Sequence, residues 1–144
     1  MKKPGAVVNR TSVMVVDDSE AWRSFASSIL GKESTLEIVC EVVDGPEAVG
    51  KAEKFRPDLI LVDIGLPTLN GIEVVDQICQ IASDSTILFV SQEDDPAIVR
   101  AALNAGGKGY VLKADAVDEL LPAIAAVLRG DQFLSSGLSE IGSN

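Results

Sequence analysis

The sequence predicts a doubly wound α/β fold, a five-stranded parallel sheet in (βα)5 order with strands arranged 2-1-3-4-5 and helices on both faces. The first sign is the apolar runs Val13 to Val16, Leu59 to Val62, Ile87 to Val90 and Tyr110 to Leu112. They are near-continuous rather than alternating, as strands covered on both faces must be. The second is the helical periodicity of the segments between them. The third is the spacing of strand starts, roughly 20 to 30 residues, which is what a crossover helix between parallel strands requires. At 144 residues the chain is too short for a barrel of eight such units.

The elements follow in order. Val13 to Val16 is the first strand and runs into Asp17-Asp18. Ser19 opens the first helix, where Trp22, Phe25, Ala26 and Ile29 recur at i, i+3, i+4 and i+7. Leu36 to Val43 is a weaker strand whose Glu37 and Glu41 suit a sheet edge. Asp44-Gly45-Pro46 turns into a second helix with Ala48, Ala52 and Phe55 on one stripe. After the Leu59 to Val62 strand, Asn70-Gly71 opens the third helix, marked by Ile72, Val75 and Cys79. Asp95-Pro96 opens the fourth, with Ile98, Ala102 and Ala105, proline suiting a first helical turn. Gly106-Gly107-Lys108-Gly109 fails the phosphate-loop pattern, because no Ser or Thr follows the lysine. It reads as the end of helix four and the entry to strand five. Val117, Leu120, Leu121 and Ile124 mark the fifth helix. Residues 1–11 read as a flexible leader, 12–130 as the domain, and 131–144, rich in Ser and Gly, as a linker or tail.

Composition narrows the function. With 47% hydrophobic and 24% charged residues the chain is neither disordered nor collagen-like, and its longest apolar stretch, Leu120 to Leu128, is too short to span a bilayer. Twelve basic against 22 acidic residues leave a net charge of −10, which repels nucleic-acid phosphates and anionic membranes. Lys2, Lys3 and Arg10 precede no apolar segment of signal-peptide type, so a cytoplasmic location is expected. Cys40 and Cys79 read as ordinary buried thiols. The absence of histidine excludes Ser-His-Asp and Cys-His catalysis and histidine-ligated metals.

In an open parallel sheet, ligands sit beyond the carboxyl ends of the strands. The residues ending the runs are Asp17-Asp18, Asp63, Ser91 and Lys113, and the predicted strand order brings them to one cleft. Three carboxylates at one place repel each other unless they share a cation. Oxygen-only ligands favour Mg²⁺ or Mn²⁺, and a lysine and a hydroxyl beside them suit phosphate oxygens. A carboxylate can itself accept a phosphoryl group. Asp63 stands alone at a central strand end and is assigned as acceptor, leaving the Asp17-Asp18 pair for the metal.

On these residues the chain resembles the receiver domain of bacterial two-component response regulators, which have the flavodoxin-like fold. The resemblance covers Ser12 to Arg129. It rests on Val15-Val16-Asp17-Asp18, on Asp63 followed by Leu66-Pro67 and Asn70-Gly71, on Ser91 after the fourth apolar run, and on Gly109-Tyr110-Val111-Leu112-Lys113. It implies that Asp63 accepts a phosphoryl group from a phosphohistidine on a sensor histidine kinase. Asp17, Asp18, Asp63 and the Gly65 backbone carbonyl would hold Mg²⁺. Ser91 would bond a phosphoryl oxygen, Lys113 would pair with the phosphoryl charge, and Tyr110 would turn inward when Ser91 moves. Such a domain is a switch rather than an enzyme.

Leu112-Lys113-Ala114-Asp115 and the stretch from Leu128 to Ser135 are similar to the NarL/FixJ subfamily, whose members usually carry a LuxR-type helix-turn-helix after the receiver. That output domain lies outside this chain, so no direct nucleic-acid binding is expected of it. Homodimerisation is expected through the face of the fourth helix, fifth strand and fifth helix, or through the first and fifth helices. Two positions depart from the pattern. Ala114 replaces a proline often found after the lysine, and Gln92 follows Ser91 where receivers usually have a small residue. Gln92 is therefore expected to crowd the path of attacking water. The alternatives are a receiver-like protein-binding module that is never phosphorylated and an aspartyl-phosphate hydrolase. The hydrolase needs a second aspartate where this chain has Gly65.

Overall fold

The strands are where the continuous apolar runs place them. The computed structural model describes residues 10–138, in which β1 (Thr11–Val16), β2 (Leu36–Val42), β3 (Leu59–Val62), β4 (Thr86–Ser91) and β5 (Gly109–Leu112) alternate with five helices. These are α1 (Glu20–Leu30), α2 (Gly45–Phe55), α3 (Gly71–Ile81), α4 (Pro96–Ala105) and α5 (Ala116–Leu128). All strand pairs are parallel, and the order contains 2-1-3-4-5 as expected.

Successive side chains on each strand feed opposite cores, which explains why the runs do not alternate in polarity. Met14, Val16, Ile60, Val62, Ile87, Phe89 and Tyr110 pack with buried residues of α2, α3 and α4. Val13, Val15, Leu59, Leu61, Leu88, Val90 and Val111 pack with α1 and α5. The edge strand β2 leaves Glu37, Val39 and Glu41 exposed.

The expected helix starts hold as caps. The side chains of Ser19, Asp44, Asn70 and Asp95 accept the N–H groups of Trp22, Glu47, Glu73 and Ala97. Asn70 and Glu73 close a reciprocal capping box. Two stripe positions are displaced. Val117 is 72% exposed because the buried face of α5 runs through Ala116, Leu120, Ala123 and Val127, and Phe55 lies exposed at the end of α2.

The five-stranded sheet is corrected to six. Strand β6 (Phe133–Leu134) pairs parallel with Gly109 and Tyr110 at the β5 edge. The Ser135 N–H donates to the Tyr110 carbonyl at 3.0 Å, the buried Ser135 Oγ accepts the Leu112 N–H at 2.8 Å, and Leu138 enters the core. A two-residue strand among Ser and Gly has no periodicity to read, so residues 133–138, expected as linker, are built into the domain. Leader residues 1–9 and residues 139–144 lie outside the described residues. No helix among those described is long and apolar enough to cross a membrane.

Candidate functional site

The carboxyl ends of β1, β3, β4 and β5 meet at a cleft of about 610 Å³ lined by Asp18, Asp63, Gly65, Ser91, Gln92 and Lys113, among others. Parallel pairing sets this convergence. Asp63 follows β3 and donates its N–H to the Val16 carbonyl at 3.1 Å, and Asp17 donates its own to Val42 at 3.0 Å, so both aspartates are held by the neighbouring strand. Asp17, Asp63 and Ser91 are buried, whereas Asp18 is exposed. One carboxylate oxygen from each of Asp17, Asp18 and Asp63 lies within 4.8 Å of the others.

Lys113 reaches into this group from the end of β5. Its Nζ lies 2.8 Å from Asp17 Oδ2 and 3.4 Å from Asp63 Oδ2, and 5.1 Å from the centre of the Trp22 ring. The Asp17 contact is a short ion pair, and the Lys113 ammonium is the partner of that buried oxygen. The other oxygen, Oδ1, accepts the Ser19 N–H at 2.9 Å. Burial pushes the Asp17 carboxyl above the usual range and the neighbouring Asp63 charge adds to this, while Lys113 and the Ser19 N–H oppose it. Three carboxylates that bring an oxygen each within 4.8 Å of the others, with a single lysine to offset them, are the environment a hard divalent cation relieves. The donor set therefore fits Mg²⁺.

Ser91 and Tyr110 meet through Glu93. The Glu93 N–H donates to Ser91 Oγ at 3.2 Å, and the Tyr110 hydroxyl donates to the Glu93 carbonyl at 2.7 Å. Tyr110 is already inward, fully buried and stacked near Phe89 with ring centres 6.0 Å apart. Burial pushes its phenol up to about 12.

All the strand-end residues expected from the sequence come together, and Tyr110 lies behind Ser91 rather than in the cleft. Sequence reasoning missed three contributors. Arg23 donates from Nη1 to the Asp17 carbonyl at 2.8 Å and pairs with Glu41 at 3.2 Å, tying α1 to the ends of β1 and β2. Gly71 sits so close to Asp63 that an added Cβ would lie 2.1 Å from its carbonyl oxygen. Trp22, read as a helix-core residue, faces the lysine. Only Gly71 had a visible signal, its place after Asn70 at a helix start.

Residues 13–125 match the family model described as the response regulator receiver domain. The transcriptional regulatory protein DegU of Brevibacillus brevis is 34% identical over 126 residues, covering 88% of this chain and 53% of that protein. LiaR of Bacillus subtilis, also a transcriptional regulatory protein, is 33% identical over 124 residues, 86% of this chain and 59% of its own length. The chain thus spans little more than half of these curated relatives. Among solved structures, a two-component response regulator of the LuxR family from Aurantimonas sp. SI85-9A1 superposes with a TM-score of 0.87 at 29% identity, covering 91% of this chain and 94% of that one.

Proposed function

Because the chain belongs to the response regulator receiver domain family, whose members are signalling switches, we propose that it is a phosphoacceptor switch operated at Asp63. The observation that carries this reading is the buried Asp63 carboxylate, with one oxygen each of Asp17 and Asp18 within 4.8 Å and Lys113 Nζ 3.4 Å away.

In the proposed reaction an Asp63 carboxylate oxygen attacks phosphorus in line, the bond to the donor breaks, and an aspartyl phosphate forms. The donor is a phosphohistidine of a sensor histidine kinase, which leaves as histidine. Asp17, Asp18 and Asp63, with the Gly65 carbonyl, would hold Mg²⁺. Bound there, Mg²⁺ supplies charge neutralisation for the phosphoryl oxygens. Lys113 exchanges Asp17 Oδ2 for a phosphoryl oxygen, and the Ser91 hydroxyl, whose oxygen accepts the Glu93 N–H, turns to donate its proton to another.

Movement of Ser91 then acts on Glu93 and hence on Tyr110. The inward Tyr110 is one of two states, and phosphorylation stabilises it, altering the face formed by α4, β5 and α5. Homodimerisation through that face or through α1 and α5, and control of transcription by a LuxR-type helix-turn-helix outside this chain, are the outputs we propose in the cytoplasm. The names of the curated relatives support a transcriptional role. The net charge of −10 argues against direct DNA binding by this segment.

Intact mass after incubation with acetyl phosphate tests the proposal. One phosphoryl adduct is expected with Mg²⁺, none without it, and none in Asp63→Asn. Absence of an adduct in the unmodified chain, with acetyl phosphate and with a panel of kinases, would favour a binding module that is never phosphorylated.

A further inference from the structure

We propose that Trp22 is a positioning residue for the Lys113 ammonium, an inference that rests on the phosphoacceptor reading above. Trp22 is the sole tryptophan of the chain, and its ring centre lies 5.1 Å from Lys113 Nζ, inside the ~6 Å range in which an ammonium is attracted by an aromatic face. The ring is backed by Phe25, with centres 5.1 Å apart. Its backbone is fixed by donation from the Trp22 N–H to Ser19 Oγ at 3.1 Å, and the Ser19 N–H in turn bonds Asp17 Oδ1 at 2.9 Å. Lys113 closes the circuit on Asp17 Oδ2 at 2.8 Å. The residue that orients the ammonium is thereby registered against the same aspartate the ammonium pairs with.

An aromatic face suits this task for a physical reason. Lysine carries its charge on a flexible four-carbon stem, and ordering that stem has an entropic cost. A carboxylate would hold it, yet would add a fourth negative charge to a site that already has three and would compete with the incoming phosphoryl group. The ring attracts the ammonium without net charge and with little directionality. Lys113 can therefore shift from Asp17 towards a phosphoryl oxygen on Asp63 while remaining over Trp22.

The test compares the rate of phosphorylation by acetyl phosphate with Mg²⁺, read by intact mass, in the full chain and in Trp22→Leu, Trp22→Phe, Lys113→Ala and the Trp22→Leu/Lys113→Ala pair. Far-ultraviolet circular dichroism establishes that each variant is folded. We expect Trp22→Leu to be slower by about three- to tenfold, and Trp22→Phe to stay within about twofold of the unsubstituted chain, as a retained aromatic face requires. In the Lys113→Ala background, Trp22→Leu should change nothing further. Equal rates for Trp22→Leu and the unsubstituted chain would overturn the proposal. So would a Trp22→Phe as slow as Trp22→Leu, or an undiminished effect without Lys113, since either assigns Trp22 to packing alone. Failure of the unsubstituted chain to accept a phosphoryl group is a different result and defeats the phosphoacceptor reading itself.

Discussion

Tyr110 combines full burial with a 2.7 Å hydrogen bond to the Glu93 carbonyl, and its phenol is pushed from the ordinary 10.0 up to about 12. Below the ordinary value both folded and unfolded chains keep the proton, and the stabilising contribution is fully present. Between about 10 and 12 the unfolded chain releases it first, so stability falls as pH rises, by about 1.4 kcal/mol per unit for this one group. Urea unfolding across this range should show that component in the unsubstituted chain and not in Tyr110→Phe. The variant should also lose about 1 kcal/mol at neutral pH, when the Glu93 carbonyl loses its donor. Identical alkaline slopes in the two chains would contradict this account. Gln92 makes a kinetic prediction. Its exposed side chain lines the cleft beside Asp63, so Gln92→Ala should lose the phosphoryl group several-fold faster by opening a path for water. Equal decay rates would remove that role. Asp17, Asp63, Ser91 and Lys113 were legible because each terminates an apolar run. Arg23 and Trp22 were not, because an arginine on a helix and an aromatic on its apolar stripe have structural uses that look the same in a sequence.

At the scale of the element, α3 is the helix whose placement the site depends on. Asn70 caps it, and the Gly71 N–H donates to the Ile64 carbonyl at 2.8 Å, drawing the helix start against the strand end that carries Asp63. The contact leaves no room for a side chain, since a Cβ at Gly71 would meet the Asp63 carbonyl oxygen at 2.1 Å and Ile64 Cα at 2.9 Å. These are backbone atoms and cannot turn aside. Gly71→Ala should therefore destabilise the fold by about 1–3 kcal/mol in urea unfolding and slow phosphorylation by displacing Asp63. A variant of unchanged stability would show that the approach is looser than described. Strands buried on both faces announce themselves by continuous hydrophobicity, and helices by their caps. Strand β6 does neither, because two residues have no period and its anchoring comes from the Ser135 side chain and backbone bonds to β5.

Across the whole molecule, an acidic chain of net charge −10 concentrates three carboxylates at the end of its sheet and leaves one lysine to offset them. The Asp17 carboxyl is raised above its ordinary value, burial being the largest cause, so its contribution to stability is present below that value and lost as pH rises through the folded one. Burial and the neighbouring Asp63 charge thus disfavour the ionised Asp17, a cost that a bound cation would relieve. Mg²⁺ should raise the thermal midpoint in a concentration-dependent way, the folded state gaining about 2.7 kcal/mol at 100 times the dissociation constant, and Asp17→Asn should blunt the response. An unchanged midpoint in Mg²⁺ would mean the carboxylates do not form a cation site. Chemical localisation of the phosphoryl group tests the central claim most directly. Borohydride reduces an aspartyl phosphate to homoserine, and peptide sequencing of the phosphorylated, reduced chain then reports the position. The account predicts homoserine at position 63 and at no other aspartate, whereas homoserine at position 17 or 18, or none at all, would contradict it.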